Sequence, residues 1–127
     1  MILDTTVLID LMRGDQQAKE AIARLKEPIC ITSLSMFELF TGLAQTSRPD
    51  RERSRIEAVI KGQTIIPFGK DAAIAAGTID GELKRSGLPT HPIDVMIAGI
   101  AIHEGQGILT RNTKDFSRIK DIAVHAY

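Results

Sequence analysis

Four carboxylates stand at positions where a bland structural reading is strained: Asp4, Glu38, Asp94 and Asp115. Asp4 directly follows Met1-Ile2-Leu3 and precedes Val7-Leu8-Ile9, and Glu38 is flanked by Phe37, Leu39 and Phe40. An ionised carboxylate in such apolar company carries a heavy desolvation cost unless it is partnered. Gathering several acids in one place also raises their pKa values by mutual repulsion. No cluster of Lys or Arg falls at matching positions. A divalent metal is therefore the natural counter-charge, and hard carboxylate oxygens suit Mg²⁺ or Mn²⁺. Taken singly, three of the acids have a plainer explanation, and Asp4 is the least easily dismissed. Asp94 would cap a helix, Asp115 would serve a turn or cap, and Glu38 would be a solvated helix residue. Taken together they read as a site.

The elements that must position these acids follow from apolar spacing. Met1-Ile2-Leu3 forms a first strand, and Val7, Leu8, Leu11 and Met12 keep a helical period until Gly14 stops it. Asp15 caps a second helix that ends before Pro28, with Ala18, Ala21, Ile22 and Leu25 inward. Ile29 to Thr32 is a second strand, followed by a helix from about Ser35 through Gln45. Asp50 is expected to cap the next helix, which runs to about Lys61. Thr64-Ile65-Ile66 is a third strand, and Lys70 to Arg85 a helix closed by Ser86-Gly87. A helix from Pro92 to Glu104 is apolar nearly all round and so should be central; Gly105 ends it. Gly107 to Thr110 and Ile122 to His125 complete the strands.

Strands separated by helices imply right-handed crossovers. The expected fold is a three-layer α/β/α domain with a mostly parallel, roughly five-stranded sheet, spanning residues 1–127 as one domain. Sites in such sheets form beyond the carboxyl ends of the strands. Asp4 ends the first strand, Thr110 the fourth, and Asp115 lies in the loop just after it.

Bulk composition permits this. Of 127 residues, 43% are hydrophobic and 25% charged, ordinary for a globular protein that buries its own core. No apolar run is long enough to span a membrane, and MILDTTVLID has no basic leader or cleavage site, so a cytoplasmic location is expected. The lone Cys30, in an apolar run, reads as a buried thiol rather than a nucleophile. The 16 basic and 16 acidic residues cancel, so no global field draws a polyanion, and any affinity for nucleic acid must come from the site.

Four segments, in order, carry a family resemblance: Leu3-Asp4-Thr5-Thr6-Val7-Leu8-Ile9-Asp10, Ser33-Leu34-Ser35-Met36-Phe37-Glu38-Leu39, Pro92-Ile93-Asp94-Val95-Met96-Ile97-Ala98 and Thr110-Arg111-Asn112-Thr113-Lys114-Asp115-Phe116. The chain resembles the PIN-domain family, and within it the VapC-type toxins of toxin–antitoxin pairs. That resemblance implies an Mg²⁺-dependent endoribonuclease with Asp4, Glu38, Asp94 and Asp115 as its acidic quartet. It also implies a homodimer inhibited by a cognate antitoxin, whose tail lies across the active-site groove. One departure is Thr6, where many relatives carry Asn or Ser, which puts a hydrogen bond behind the ligands in question.

On this reading the reaction is phosphodiester hydrolysis. Asp4 and Asp94 are the principal ligands of one Mg²⁺ (Mn²⁺ being possible), with Glu38 and Asp115 completing the site directly or through water. Thr110 either hydrogen-bonds a ligand carboxylate or is an ordinary strand-end threonine. Asn112 either orients the Asp115 loop or simply forms a turn. Arg13, Arg85 and Arg111 are candidates to meet an RNA phosphate, Arg111 being nearest in sequence to the site, although any single arginine is more often a surface or salt-bridged residue. Asp10 falls off the helical face of Asp4 and is left outside the ligands. His91, His103 and His125 lack metal-ligand spacing. The helix with Met36, Phe37, Leu39, Phe40 and Leu43 has more apolar surface than one core face needs, which suggests either a partner surface or a well-buried helix.

Rival readings fare worse. A haloacid-dehalogenase phosphatase needs a second Asp two residues after the first, where this chain has Thr6. A receiver domain needs a phospho-acceptor Asp after the third strand, where Pro67-Phe68-Gly69 stands. A non-catalytic PIN-like RNA-binding module is the remaining alternative, and its expected sign, loss of an acid, is not seen.

Overall fold

Strand alternation divides the core in two. The computed structural model describes residues 1–127, with strands β1 (Ile2–Leu3), β2 (Cys30–Thr32), β3 (Thr64–Ile66), β4 (Ile108–Leu109) and β5 (Val124–His125). They form one sheet in the order β3-β2-β1-β4-β5, every pairing parallel. Because successive side chains face opposite sides of a strand, Ile2, Cys30 and Ile108 enter one apolar cluster while Leu3, Ile31 and Leu109 enter the other.

The first cluster is covered by α5 (Lys70–Arg85), α6 (Pro92–Glu104) and the short α7 (Thr113–Phe116), which contribute Ala72, Ala76, Val95, Ile97, Ile100 and Phe116. The second lies under α1 (Thr5–Met12), α3 (Ser33–Gln45) and α4 (Pro49–Ile60), through Val7, Leu8, Leu39, Leu43 and Ile56, with α2 (Gln16–Arg24) at its edge through Ala21 and Ile22. The result is the expected three-layer α/β/α arrangement. No helix is long and apolar enough to cross a membrane.

Local chemistry sets most helix ends. Asp15 accepts from the Ala18 N–H at 2.8 Å and caps α2, and Thr32 accepts from the Ser35 N–H at 3.2 Å and caps α3. Helix α4 differs from expectation: Arg48 is its cap and Pro49 its first residue, so Asp50 sits inside the first turn. Proline's preset φ and missing N–H suit it to that first position. Gly105 closes α6 with φ +63°, a conformation that glycine adopts without strain. The apolar α6 is buried as its sequence demands, and Gly99 lets it approach α5: a Cβ there would lie 2.5 Å from the Ala72 carbonyl oxygen.

The order of strands reverses beside β1. The chain builds outward through β2 and β3, then crosses back through α5 and α6 to lay β4 on β1's other side. Such a reversal opens a crevice at the carboxyl ends of the two strands.

Candidate active site

Register puts two candidate residues side by side in that crevice. Ile2 pairs with Ile108 and Leu3 with Leu109, so the next residues, Asp4 and Thr110, leave the sheet together. The Asp4 N–H donates to the Leu109 carbonyl at 3.0 Å. Asp4 is 2% exposed, and its Oδ2 accepts from Thr110 Oγ1 at 2.7 Å and Thr6 Oγ1 at 2.9 Å. Both hydroxyls are fixed as donors because each accepts a backbone N–H from behind, Thr110 from Asn112 at 2.9 Å and Thr6 from Arg111 at 3.3 Å. Bonds to an ionised acceptor of this kind are among the stronger ones in proteins. The Asp4 Oδ1 atom receives no hydrogen bond from the chain.

Glu38 arrives from the neighbouring strand. Helix α3 starts directly after β2, and Glu38 lies one turn beyond Ser35 on the same face. Thr5 Oγ1 lies 2.7 Å from Glu38 Oε1 and 2.9 Å from Ser35 Oγ. One hydroxyl hydrogen serves one acceptor, so it goes to the carboxylate, leaving the Ser35 hydroxyl to donate to Thr5. The setting of Glu38 is less apolar than its sequence neighbours imply, since Phe37 is 61% and Phe40 37% exposed. Leu39 and Leu43 supply the core face instead.

Asp94 is in the first turn of α6 but does not cap it. His91 holds the cap position, and Asp94 Oδ2 accepts from Asn112 Nδ2 at 2.9 Å. The same nitrogen lies 3.1 Å from Asp115 Oδ2. Asp115 belongs to the short α7 rather than to a loop, and Arg118 approaches its other oxygen at 3.7 Å. The Asp94 carboxyl is pushed up to about 6, first by burial, then by Asp4, and further by Glu38 and Asp115; His91 opposes the rise. All four acids therefore share one field, and the one ion pair to any of them is Arg118 with Asp115.

Each acid is anchored through one oxygen, and in Asp4, Glu38 and Asp94 the second oxygen is free of protein donors. No three of them are drawn together as a finished ligand cage. This donor set still fits Mg²⁺, which keeps several of its waters and is commonly bound through one or two carboxylates.

The arginines separate. Arg111 is committed to the protein: Nε donates to Asp10 at 2.8 Å, Nη2 to Asp15 at 3.2 Å and Nη1 to Gln17 at 3.3 Å, while its guanidinium stacks 4.5 Å from the Tyr127 ring centroid. Tyr127 in turn donates to Asp10 at 2.8 Å, and burial, then this bond, push its phenol up to about 12. Arg85 lines a separate cleft of about 700 Å³ between α5, α6 and residues 118–121. Arg13 alone borders Glu38, Thr6 and Asn112. Sequence reasoning missed Thr5 and Ser35, whose positions one residue after Asp4 and three before Glu38 were the available signal, and it missed Tyr127 altogether.

With the geometry described, comparison with known proteins becomes informative. The PIN domain family model matches residues 1–122. The chain is 32% identical to the tRNA(fMet)-specific endonuclease VapC of Salmonella typhimurium, over 97% of this chain and 94% of that one. Among solved structures, the DNA-bound VapBC complex from Salmonella typhimurium superposes with a TM-score of 0.90 at 31% identity, covering 98% of this chain and 96% of that one. The promoter-DNA-bound VapBC2 complex from Rickettsia felis superposes with a TM-score of 0.92 at 23% identity, covering 99% and 97%, a likeness of fold. The chain belongs to the PIN-domain family and, within it, to the VapC type.

Proposed function

We propose that this chain is a divalent-metal-dependent endoribonuclease, the toxin of a type II toxin–antitoxin pair. Supporting this is the field that Asp4, Glu38 and Asp115 exert on Asp94 near the place where the strand order reverses, which adds to burial in raising its carboxyl. Nuclease activity is the property carried in the names of its VapC relatives, and the solved neighbours include a toxin–antitoxin complex from Klebsiella pneumoniae. Asp4 and Asp94 would hold Mg²⁺ or Mn²⁺, with Glu38 and Asp115 contributing directly or through water. When bound, the ion supplies Lewis acidity at the scissile phosphate and acidifies a water.

The chain's own residues do the positioning. Thr6 and Thr110 fix Asp4, Thr5 fixes Glu38, and Asn112 fixes Asp94 relative to Asp115. The rise in the Asp94 carboxyl would be reversed when a cation enters, since the ionised form is then favoured. An antitoxin and a second copy of the chain are the proposed protein partners, and the exposed Phe37 and Phe40 on α3 support an apolar contact there. The cytoplasm is the proposed compartment.

The experiment is to incubate the purified chain with structured RNA in Mg²⁺, in EDTA, and as Asp4→Ala and Asp94→Asn. Cleavage by the wild type in Mg²⁺ alone is expected. Cleavage in EDTA, or undiminished cleavage by both variants, contradicts the mechanism.

A further inference from the structure

A groove of about 360 Å³ opens beside Glu38, between the end of α1 and the facing sides of α3 and α4. Its walls carry Arg13 and Arg55, with Glu38 and Glu52 beside them, and Leu39 and Gly42 on the α3 side. Ile9 and Met12 add an apolar surface. Neither Arg13 nor Arg55 forms a salt bridge, whereas Arg111, Arg24 and Arg118 all do. Two guanidiniums without a salt-bridge partner thus face one hollow next to a catalytic carboxylate.

Arg13 also lines a second hollow, of about 430 Å³, that contains Thr6, Asp10, Arg111 and Asn112. The two hollows share Ile9 and Arg13 as walls, one bordering Glu38 and the other bordering the residues that hold Asp4 and Asp94. A polymer crossing the acids would leave through one and enter through the other. The chain's neutral total charge makes such local cations the available source of phosphate affinity.

Gly42 forms part of the same wall, and like Gly77 and Gly81 in α5 it is a helix glycine with open space at its Cβ position. It lies inside α3, where glycine is disfavoured, yet a Cβ there would meet nothing within 4 Å. No packing contact requires its small size. What the missing side chain preserves is open space in the groove wall.

We propose that this groove is the subsite for the RNA strand flanking the cleaved bond, with Arg13 and Arg55 on consecutive backbone phosphates and a base over Met12, Leu39 and Gly42. The inference rests on the ribonuclease reading and deepens it. The two unpaired cations favour a nucleic-acid backbone over an apolar helix as the occupant. Glu38 and Glu52 are the wall carboxylates that oppose it; Glu38 belongs to the acidic site, and neutralising Glu52 should tighten binding.

The test measures fluorescence anisotropy of a labelled, short, mixed-sequence single-stranded RNA with the full chain in EDTA, over a range of salt. Each lost single-strand phosphate contact lowers the slope of log affinity against log salt by about 0.7, so Arg13→Gln with Arg55→Gln should lose about 1.4 and bind roughly tenfold or more weakly at low salt. Gly42→Phe should weaken binding with the slope retained and with a melting temperature no lower than wild type, while Gly42→Ala binds normally. Glu52→Gln should bind more tightly, and Arg85→Gln, in the remote cleft, should match wild type. Unchanged affinity and slope in the double arginine variant overturn the proposal. So does normal RNA binding by Gly42→Phe, including the case where that variant loses only the antitoxin. Because these measurements need no metal, a wild type that cleaves RNA while groove variants bind normally rejects the groove alone. Groove-dependent binding without cleavage in Mg²⁺ rejects the nuclease reading alone.

Discussion

Asn112 Nδ2 lies 2.9 Å from Asp94 Oδ2, and the same amide nitrogen reaches Asp115 Oδ2 at 3.1 Å. One neutral side chain thus bridges two acids that approach from different elements, the first turn of α6 and the short α7. Partners behind metal ligands commonly set affinity by about 10–100-fold. Asn112→Ala should weaken divalent-cation binding by that order in a calorimetric titration, with the fold retained. Unchanged affinity would assign Asn112 to the turn alone.

Asp94 gives the protein a specific pH response. Its carboxyl is raised from the ordinary 3.8 to about 6, so ionising it opposes folding. Below about pH 3 the acid is largely neutral in both folded and unfolded chains and costs little. Through the window up to pH 6 the unfolded chain ionises first, and above it the full penalty is present. Asp94→Asn in metal-free buffer should therefore raise stability at pH 8 by about 2 kcal/mol, the shift's full worth of about 3 reduced by solvent screening of a partly exposed group, and leave it nearly unchanged at pH 3. Thermal melts at the two pH values decide it.

Thr110 tests whether the buried Asp4 needs its donors. Thr110→Val removes the 2.7 Å bond to Asp4 and the acceptor of the Asn112 N–H. An unsatisfied buried group costs about 1–3 kcal/mol, and RNA cleavage should fall about 10–100-fold. Thr110→Ser, which keeps the hydroxyl, should restore most of both. Equal loss in the two variants would point to packing of the methyl group.

Arg111 should behave as a clamp and not as a phosphate contact. Solvent-exposed ion pairs and cation–π contacts are individually weak, so Arg111→Gln should lower the melting temperature only slightly. The salt slope of RNA binding should not move. A slope reduced by about 0.7 would return Arg111 to the substrate path.

Most of the fold was legible because it rests on periodicity. Strand and helix runs alternate from Met1 onward, and the all-apolar α6 announced its central place. Short features were not. Helix α7 spans four residues, too few to show a helical period, so Asp115 was expected in a loop. The cap of α4 was misassigned to Asp50 because Pro49 was overlooked as a helix start. Glu38 was expected in apolar surroundings, but Phe37 and Phe40 point to solvent; neighbours in sequence are not neighbours in space. Arg111 was linked to RNA by its nearness to Asp115 in sequence, whereas its partners Asp10, Asp15 and Gln17 come from the other end of the chain and Tyr127 from its last residue. No local pattern encodes contacts of that range.

The central claim is that Asp4 and Asp94 hold a divalent ion, and Mn²⁺ titration followed by electron paramagnetic resonance tests it without any substrate. The wild type should remove the free-ion signal as sites fill, and Asp4→Asn and Asp94→Asn should each bind at least about tenfold more weakly. Wild type and variants depleting the free-ion signal equally, or none depleting it at all, would contradict the account.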